Sequence, residues 1–166
     1  MIVIETPRLI LRHFTLDDID ELAAIYADPV VMKFYPKPYT REQTQQQVER
    51  IMNMYKERGW SLWATIYKAD QKLIGRCGLM LQLVDEQQEV EIGYLLAKEY
   101  WGQGLATEAA IACRNYGFQE LGLNRLISLI DPRNIASQKV AIKNGMKYEK
   151  NAQMWDKSLC VYSNSN

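Results

Sequence analysis

The chain is poor in the side chains that hold metals. It has one histidine, His13, and three cysteines, Cys77, Cys113 and Cys160, in 166 residues. A single imidazole gives no basis for a histidine-built metal site, and any Ser-His-Asp triad would depend on His13 alone. The cysteines are odd in number and far apart, with no C-x-x-C spacing. That argues against a disulfide framework and a zinc knuckle. They read instead as small buried apolar residues, in keeping with a reduced cytosol. The chain also lacks net charge, with 20 basic residues against 20 acidic ones. A protein that coats phosphate backbones would be strongly basic. No run of 18 apolar residues occurs, so no membrane-spanning helix is expected. The opening Met1–Arg8 has no basic leader and too short an apolar run for a signal peptide. Internal repeats and low-complexity tracts are absent too. These absences predict a cytoplasmic protein with no metal, nucleic-acid or membrane partner.

What is present suits one globular domain spanning residues 1–166. Hydrophobic residues make up 48% and charged residues 24%, and a chain of this size buries about two-thirds of its surface. Arg8 to Phe14 alternates as a strand. Thr15 then opens a helix with the buried stripe Ile19, Leu22, Ala23 and Tyr26, broken at Asp28-Pro29. Tyr35-Pro36-Lys37-Pro38-Tyr39 is a loop. Thr40 and Gln43 form a capping box ahead of a helix with the stripe Val48, Ile51, Met52 and Tyr55, ended by Gly59. The period then becomes extended. Trp60–Tyr67, Lys72–Val84 and Glu89–Leu96 read as an antiparallel meander, with a polar turn at Asp85–Gln88. A loop at Lys98–Gly102, a helix at Gly104–Glu120, a strand at Asn124–Ile130 and a short helix at Asn134–Lys143 follow. Strands near Met146–Asn151 and Leu159–Tyr162 close the chain. The class is α+β, a mixed sheet with helices.

The chemistry concentrates where the third strand of the meander runs into a glycine loop and a helix, Tyr94-Leu95-Leu96 and then Gly102-Gln103-Gly104-Leu105-Ala106-Thr107. A helix start carries backbone N–H groups with no internal partner and a positive dipole end. Two glycines before it permit positive φ and close approach of an anion. The stretch is neither the dinucleotide fingerprint nor a P-loop. Taken alone, it also suits a plain tight turn.

Three stretches together resemble the GNAT superfamily of N-acetyltransferases, and within it the ribosomal-protein N-terminal (alanine) acetyltransferase subgroup. They are Gly102-x-Gly104-Leu105-Ala106-Thr107-Glu108-Ala109, Asn134-Ile135-Ala136-Ser137 with Lys143-Asn144-Gly145-Met146, and the opening Thr6-Pro7-Arg8-Leu9-Ile10-Leu11-Arg12. The resemblance covers nearly the whole chain. It implies the acyl-CoA N-acyltransferase fold, a mixed, mostly antiparallel central sheet flanked by helices and splayed where acetyl-CoA enters. It further implies transfer of an acetyl group from acetyl-CoA to a primary amine, a small molecule or a protein N-terminus, by direct attack in a ternary complex. The amides of Gly102, Gln103, Gly104, Leu105, Ala106 and Thr107 would hold the pyrophosphate. The backbone of Tyr94, Leu95 and Leu96 would pair with the pantetheine arm, and the amide near Leu95 would face the thioester oxygen. Asn134 would approach the pantetheine, a role compatible with capping the last helix.

Two positions depart from the superfamily pattern. Trp101 stands where many members carry Gln or Arg, and Ala141 where many place a tyrosine acid. A thiolate with a pKa of about 8.5 needs little protonation to leave, and Ser137 could hydrogen-bond the departing sulfur or simply cap the helix. For the base, Glu91 and Glu89 share a strand face, and Glu91 is nearer the carbonyl site; Glu108 is an alternative acid with a competing role at the helix start. Phe34, Tyr35, Tyr39, Tyr55 and Trp60 would wall the acceptor groove or pack as core. Dimers are common in such families, so a homodimer is compatible. The alternatives are a different acyl-CoA, a hydroxyl acceptor, or a non-catalytic CoA-binding domain.

Overall fold

The computed structural model describes residues 1–166. Its strands are β1 (Ile2–Glu5), β2 (Leu9–Arg12), β3 (Leu62–Tyr67), β4 (Lys72–Val84), β5 (Gln87–Leu96), β6 (Arg125–Ile130), β7 (Lys147–Met154) and β8 (Lys157–Ser165). Its helices are α1 (Ile19–Tyr26), α2 (Arg41–Arg58), α3 (Leu105–Gln119) and α4 (Ile135–Lys143). The strands form one sheet in the order β1-β2-β3-β4-β5-β6-β8-β7. Every neighbouring pair is antiparallel except β5 and β6. The expected mixed, mostly antiparallel sheet with helices is therefore the observed one.

Local chemistry explains the boundaries. The Thr40 hydroxyl accepts the Gln43 amide at 3.1 Å, and the Gln43 side chain accepts the Thr40 amide at 2.9 Å, so α2 starts on the expected capping box. Gly59, at φ 85°, ends it in the left-handed conformation, as helix C-termini favour. The first helix begins one step later than expected. Leu16–Asp18 forms a 3₁₀ turn, because the Asp18 carboxylate is held by Arg12 through two bonds of 2.8 Å and also accepts the Thr15 amide at 2.8 Å.

Two expectations need correction. The opening residues, given no element from the sequence, form one: Ile2–Glu5 pairs with β2 as an edge strand. The polar turn is also shorter than Asp85–Gln88. Only Asp85 and Glu86 make it, both at positive φ (48° and 65°), and β5 starts at Gln87. The last two strands extend further than expected, because their outward positions are polar and hide the alternation.

The sheet separates two cores. Leu9, Leu11, Cys77, Leu79 and Ile92 pack on one face against Leu105, Ala109, Ala110 and Cys113 of α3. Leu62, Ala64, Ile66 and Leu95 pack on the other against Leu22 and Tyr26 of α1 and Val48 and Ile51 of α2. All three cysteines are free and buried, as their spacing suggested.

Candidate active site

The ladder between β5 and β6 is where the sheet opens. The two parallel strands share one bridge, Glu91 with Ile127. The Ser128 hydroxyl donates to the Ile92 carbonyl at 2.9 Å, and no strand pairs with this edge of β5 beyond it. The direction of the free backbone groups follows from the hairpin. A two-residue turn joins Val84 to Gln87, so Val84–Gln87 is a hydrogen-bonded pair. Every second pair is then also hydrogen-bonded, up to Gly78–Gly93 and Arg76–Leu95. The Leu95 amide is therefore committed to β4. Tyr94 and Leu96 face the opening. The expectation of an amide near Leu95 facing a thioester oxygen narrows accordingly: the amides that point toward the opening are those of Tyr94 and Leu96.

The loop after β5 is fastened at its start. The Trp101 indole donates to the Leu96 carbonyl at 2.8 Å. Gly102 and Gly104 both adopt left-handed φ, 74° and 77°, which a side chain disfavours. Gly104 is the N-cap of α3 and offers no side-chain cap. The first amide to bond back to it is that of Glu108, so the amides of Leu105, Ala106 and Thr107 have no helical partner. They form a cradle with a positive dipole end behind it.

The back of this loop is held by residues whose purpose the sequence did not reveal. The Glu108 carboxylate accepts the Thr6 hydroxyl at 2.6 Å, the Arg8 amide at 2.9 Å and Arg8 Nε at 2.7 Å. Arg8 Nη1 donates to the Gln103 carbonyl at 2.8 Å. Burial alone would raise the Glu108 pKa, but these hydrogen bonds and the Arg8 charge outweigh it and hold it below the usual carboxylate value. Glu108 thus ties the opening strands to the loop, and its candidacy as a free acid is withdrawn. The Thr6-Pro7-Arg8 motif was a signal, but for loop support.

The two strand glutamates differ sharply. Glu89 accepts Arg125 Nε at 3.1 and 3.0 Å, and Arg125 also binds Glu149 at 3.0 and 2.7 Å. Glu91 is 7% exposed and carries no cation within ion-pair distance. It accepts Gln82 Nε2 at 2.8 Å. Burial pushes its pKa up to about 7, against the pull of Gln82, the Leu129 amide and the Arg76 charge. A carboxyl poised near neutrality is suited to moving protons.

Asn134 caps α4, its side chain accepting the Ser137 amide at 3.1 Å. The Ser137 hydroxyl donates to the Tyr94 oxygen at 3.1 Å, and the Tyr94 hydroxyl donates to the Ser137 carbonyl at 2.7 Å. The Tyr94 side chain was not anticipated as a polar partner; burial raises its phenol above the ordinary value. Ala141 lies in the core beneath α3, 1% exposed. Of the expected groove aromatics, Tyr35 and Tyr39 pack over the α1–α2 core, and Tyr55 stacks on His13 at 3.9 Å.

Against this geometry, the sequence model of the acetyltransferase (GNAT) domain matches residues 8–147. The chain belongs to the GNAT acetyltransferase family. It is 38% identical over 160 residues to protein YkkB of Bacillus subtilis (strain 168), covering 95% of this chain and 92% of that one. Among solved structures it is similar to the GNAT-family acetyltransferase from Bacillus anthracis. The TM-score is 0.81 at 28% identity, over 98% of this chain and 96% of that one. The ribosomal-protein-S5-alanine acetyltransferase from Vibrio fischeri shares the fold at TM-score 0.76 and 20% identity, covering 98% and 96%. The protein is thus an N-acetyltransferase of the GNAT family, whose members use acetyl-CoA. The residues present fit that group: nothing lies within 4 Å of the place a Cβ would take at Gly102, the amides of Leu105–Thr107 lack helical partners, and β5 with its open edge leads into this loop along the chain. No helix is long and apolar enough to cross a membrane.

Proposed function

We propose that this GNAT protein transfers the acetyl group of acetyl-CoA directly to a primary amine, with Glu91 as the base. One observation carries the reading. The only open strand edge at the sheet's centre, at Tyr94 and Leu96, leads along the chain to the unpartnered amides of Leu105–Thr107, while the near-neutral carboxyl of Glu91 stands three residues before Tyr94 on the same strand.

In this reading the amides across Gly102, Gln103, Gly104, Leu105, Ala106 and Thr107 hold the pyrophosphate. Tyr94 and Leu96 pair with the pantetheine, and Leu95 supports them from the ladder. Asn134 keeps α4 in place beside the pantetheine. Bound acetyl-CoA supplies an activated thioester. Glu91 takes the proton of the incoming ammonium, directly or through a water. The amine nitrogen bonds the acetyl carbon, the carbon–sulfur bond breaks with its electrons leaving on sulfur, and the nitrogen's second proton passes to water or to the departing sulfur. An open-side amide, of Tyr94 or Leu96, donates to the oxygen on which charge develops. Ser137 reaches the departing sulfur only by turning from Tyr94. Its help is small in this scheme, because the thiolate leaves readily near neutral pH.

The test is thiol release from acetyl-CoA with a broad set of primary amines. Amine-dependent release supports the proposal. Binding of acetyl-CoA with no release for any amine would overturn it in favour of a non-catalytic CoA-binding role. A panel of acyl donors separates acetyl transfer from transfer of a longer chain.

A further inference from the structure

A second charged group is buried on the same face of the sheet as Glu91. Arg76, on β4, is 5% exposed. Its Nε donates to the Tyr26 hydroxyl at 2.6 Å and its Nη2 to the Tyr35 hydroxyl at 2.9 Å. Both partners are phenols, not carboxylates; burial pushes Tyr26 up to about 12. None of the ten ion pairs of the chain includes Arg76. Nη1 makes no hydrogen bond within the chain. A buried cation without a counter-charge is costly, and the free edge of a guanidinium matches a carboxylate in a two-bond fork.

The register says where that edge lies. Arg76 is opposite Leu95, Gly78 opposite Gly93, and Met80 opposite Glu91, so all six share one face. Glycine at position 93 leaves a notch. A Cβ there would lie 3.8 Å from Arg76 Nη1 and 2.4 Å from the terminal methyl of Met80. The flexible Met80 tip is what fills the space between the guanidinium and Glu91. Positions 91 and 93 are about 7 Å apart along the strand. A carboxylate at Arg76 and an amine at Glu91 fit that span when only a few bonds separate them.

The segment just before Tyr35 is cationic. Lys33 lies 5.5 Å and Arg133 5.6 Å from the centre of the Phe34 ring. Lys157 donates to the Phe34 carbonyl at 2.8 Å. The next residue, Tyr35, is one of the two that hold Arg76. Asp131 is the one acid paired there, shared between Arg133 at 2.9 Å and Lys157 at 3.7 Å.

We propose that the acceptor is a small amino acid-like molecule, a primary amine with a carboxylate a few bonds away, and that Arg76 binds the carboxylate while Glu91 serves the amine. The assignment rests on the acetyl-transfer reading and narrows its substrate class. Arg76 is then a specificity-determining residue, and Tyr26 and Tyr35 orient it.

The experiment compares the common L-amino acids with their carboxamides and decarboxylated amines as acceptors, by thiol release. At least one carboxylate is expected to exceed its matched amide and amine by about tenfold or more in kcat/KM. Arg76→Gln should cost that carboxylate roughly 100-fold and shrink its advantage over the matched carboxamide to within about threefold, with acetyl-CoA still raising the melting temperature. Carboxylate-free amines used equally well throughout, or a preference that survives Arg76→Gln, would overturn the assignment. If Arg76→Gln does not fold, wild-type product inhibition decides. An N-acetyl amino acid should compete with acceptor at least tenfold better than its amide, and equal inhibition would count against it. No thiol release with any amine, charged or not, defeats the acetyl-transfer reading itself. Release with carboxylate-free amines alone defeats only the role of Arg76.

Discussion

The cofactor side and the acceptor side of this protein are built from different materials. On the cofactor side the working groups are backbone: the amides of Leu105–Thr107, the open edge at Tyr94 and Leu96, and two left-handed glycines. Side chains there act at one remove, as Trp101 does on Leu96 and Glu108 does on Thr6 and Arg8. On the acceptor side the working groups are buried side chains from distant parts of the chain: Tyr26, Tyr35, Arg76 and Glu91. A backbone site needs a conformation, which glycine spacing announces. A side-chain site needs a register, which nothing local announces. It also stores electrostatic cost, because both Arg76 and Glu91 are removed from water without an ion-pair partner.

The largest expected effect tests that stored cost. Glu91→Gln should lower turnover by about 10²–10⁴-fold while acetyl-CoA affinity stays within a few-fold. Wild-type activity should fall on acidification through about pH 7, as Glu91 takes a proton, and this limb should vanish in the variant. Stability should move the opposite way. Folding raises the Glu91 pKa from 4.5 to about 7, so its contribution is full below pH 4.5 and is lost as pH rises through 7. Glu91→Gln removes that loss. The variant should melt above the wild type at pH 8 and close to it at pH 4.5. A less stable variant at pH 8 would mean that the carboxylate is not under the expected strain.

Breaking the cofactor side gives a different signature. Gly104→Val places a branched side chain at φ 77°, at a cost of about 1–2 kcal/mol. In a chain of this size that is a melting shift of roughly 2–8 °C. Acetyl-CoA affinity should fall at least about tenfold, with the pH profile of the residual activity unchanged. In the wild type, acetyl-CoA at a hundredfold excess over Kd should add about 2.7 kcal/mol of stability. An absent shift, measured by thermal melting, would remove the cradle's assignment. Ser137→Ala should be milder, less than about tenfold in turnover, because its hydroxyl is already engaged by Tyr94 and a thiolate near neutral pH needs little help.

The same contrast explains what could be read from the sequence. The capping box at Thr40 and Gln43, the bounds of β4 and the glycine loop are local patterns, and each stands where it was expected. β1 escaped because a four-residue edge strand is too short to show a period and depends on its pairing with β2. Which amide near Leu95 faces the opening escaped because side-chain alternation says which face a residue takes, not which neighbour its amide serves. Arg76 escaped for the plainest reason. A lone arginine in Ile74-Gly75-Arg76-Cys77-Gly78 reads as a solvated strand residue. Only the packing of α1 and of the Tyr35 loop over β4 buries it.

The smallest effects separate fold from function at the two hairpin tips. Asp85-Glu86 and Trp155-Asp156 both turn with two residues at positive φ, 48° and 65° in the first and 51° and 59° in the second. Such turns favour glycine at the second position, and neither hairpin has one. Glu86→Gly should stabilise the protein by roughly 0.5–1 kcal/mol, because the relief of backbone strain exceeds the entropy that glycine restores to the unfolded chain. Turnover should stay within about twofold, since this tip lies at the far end of β5 from the loop. Asp156→Gly should give a similar gain in melting temperature, but its hairpin touches the acceptor side through Lys157 and Phe34. Relaxing that turn should shift Lys157 against the Phe34 carbonyl, raise KM for the acceptor by about threefold and leave acetyl-CoA affinity alone. Equal kinetic silence at both tips would assign the second hairpin to the fold. A KM effect confined to Asp156→Gly would place the strained Trp155 turn, 65% exposed at position 155, among the elements that hold the acceptor side in shape.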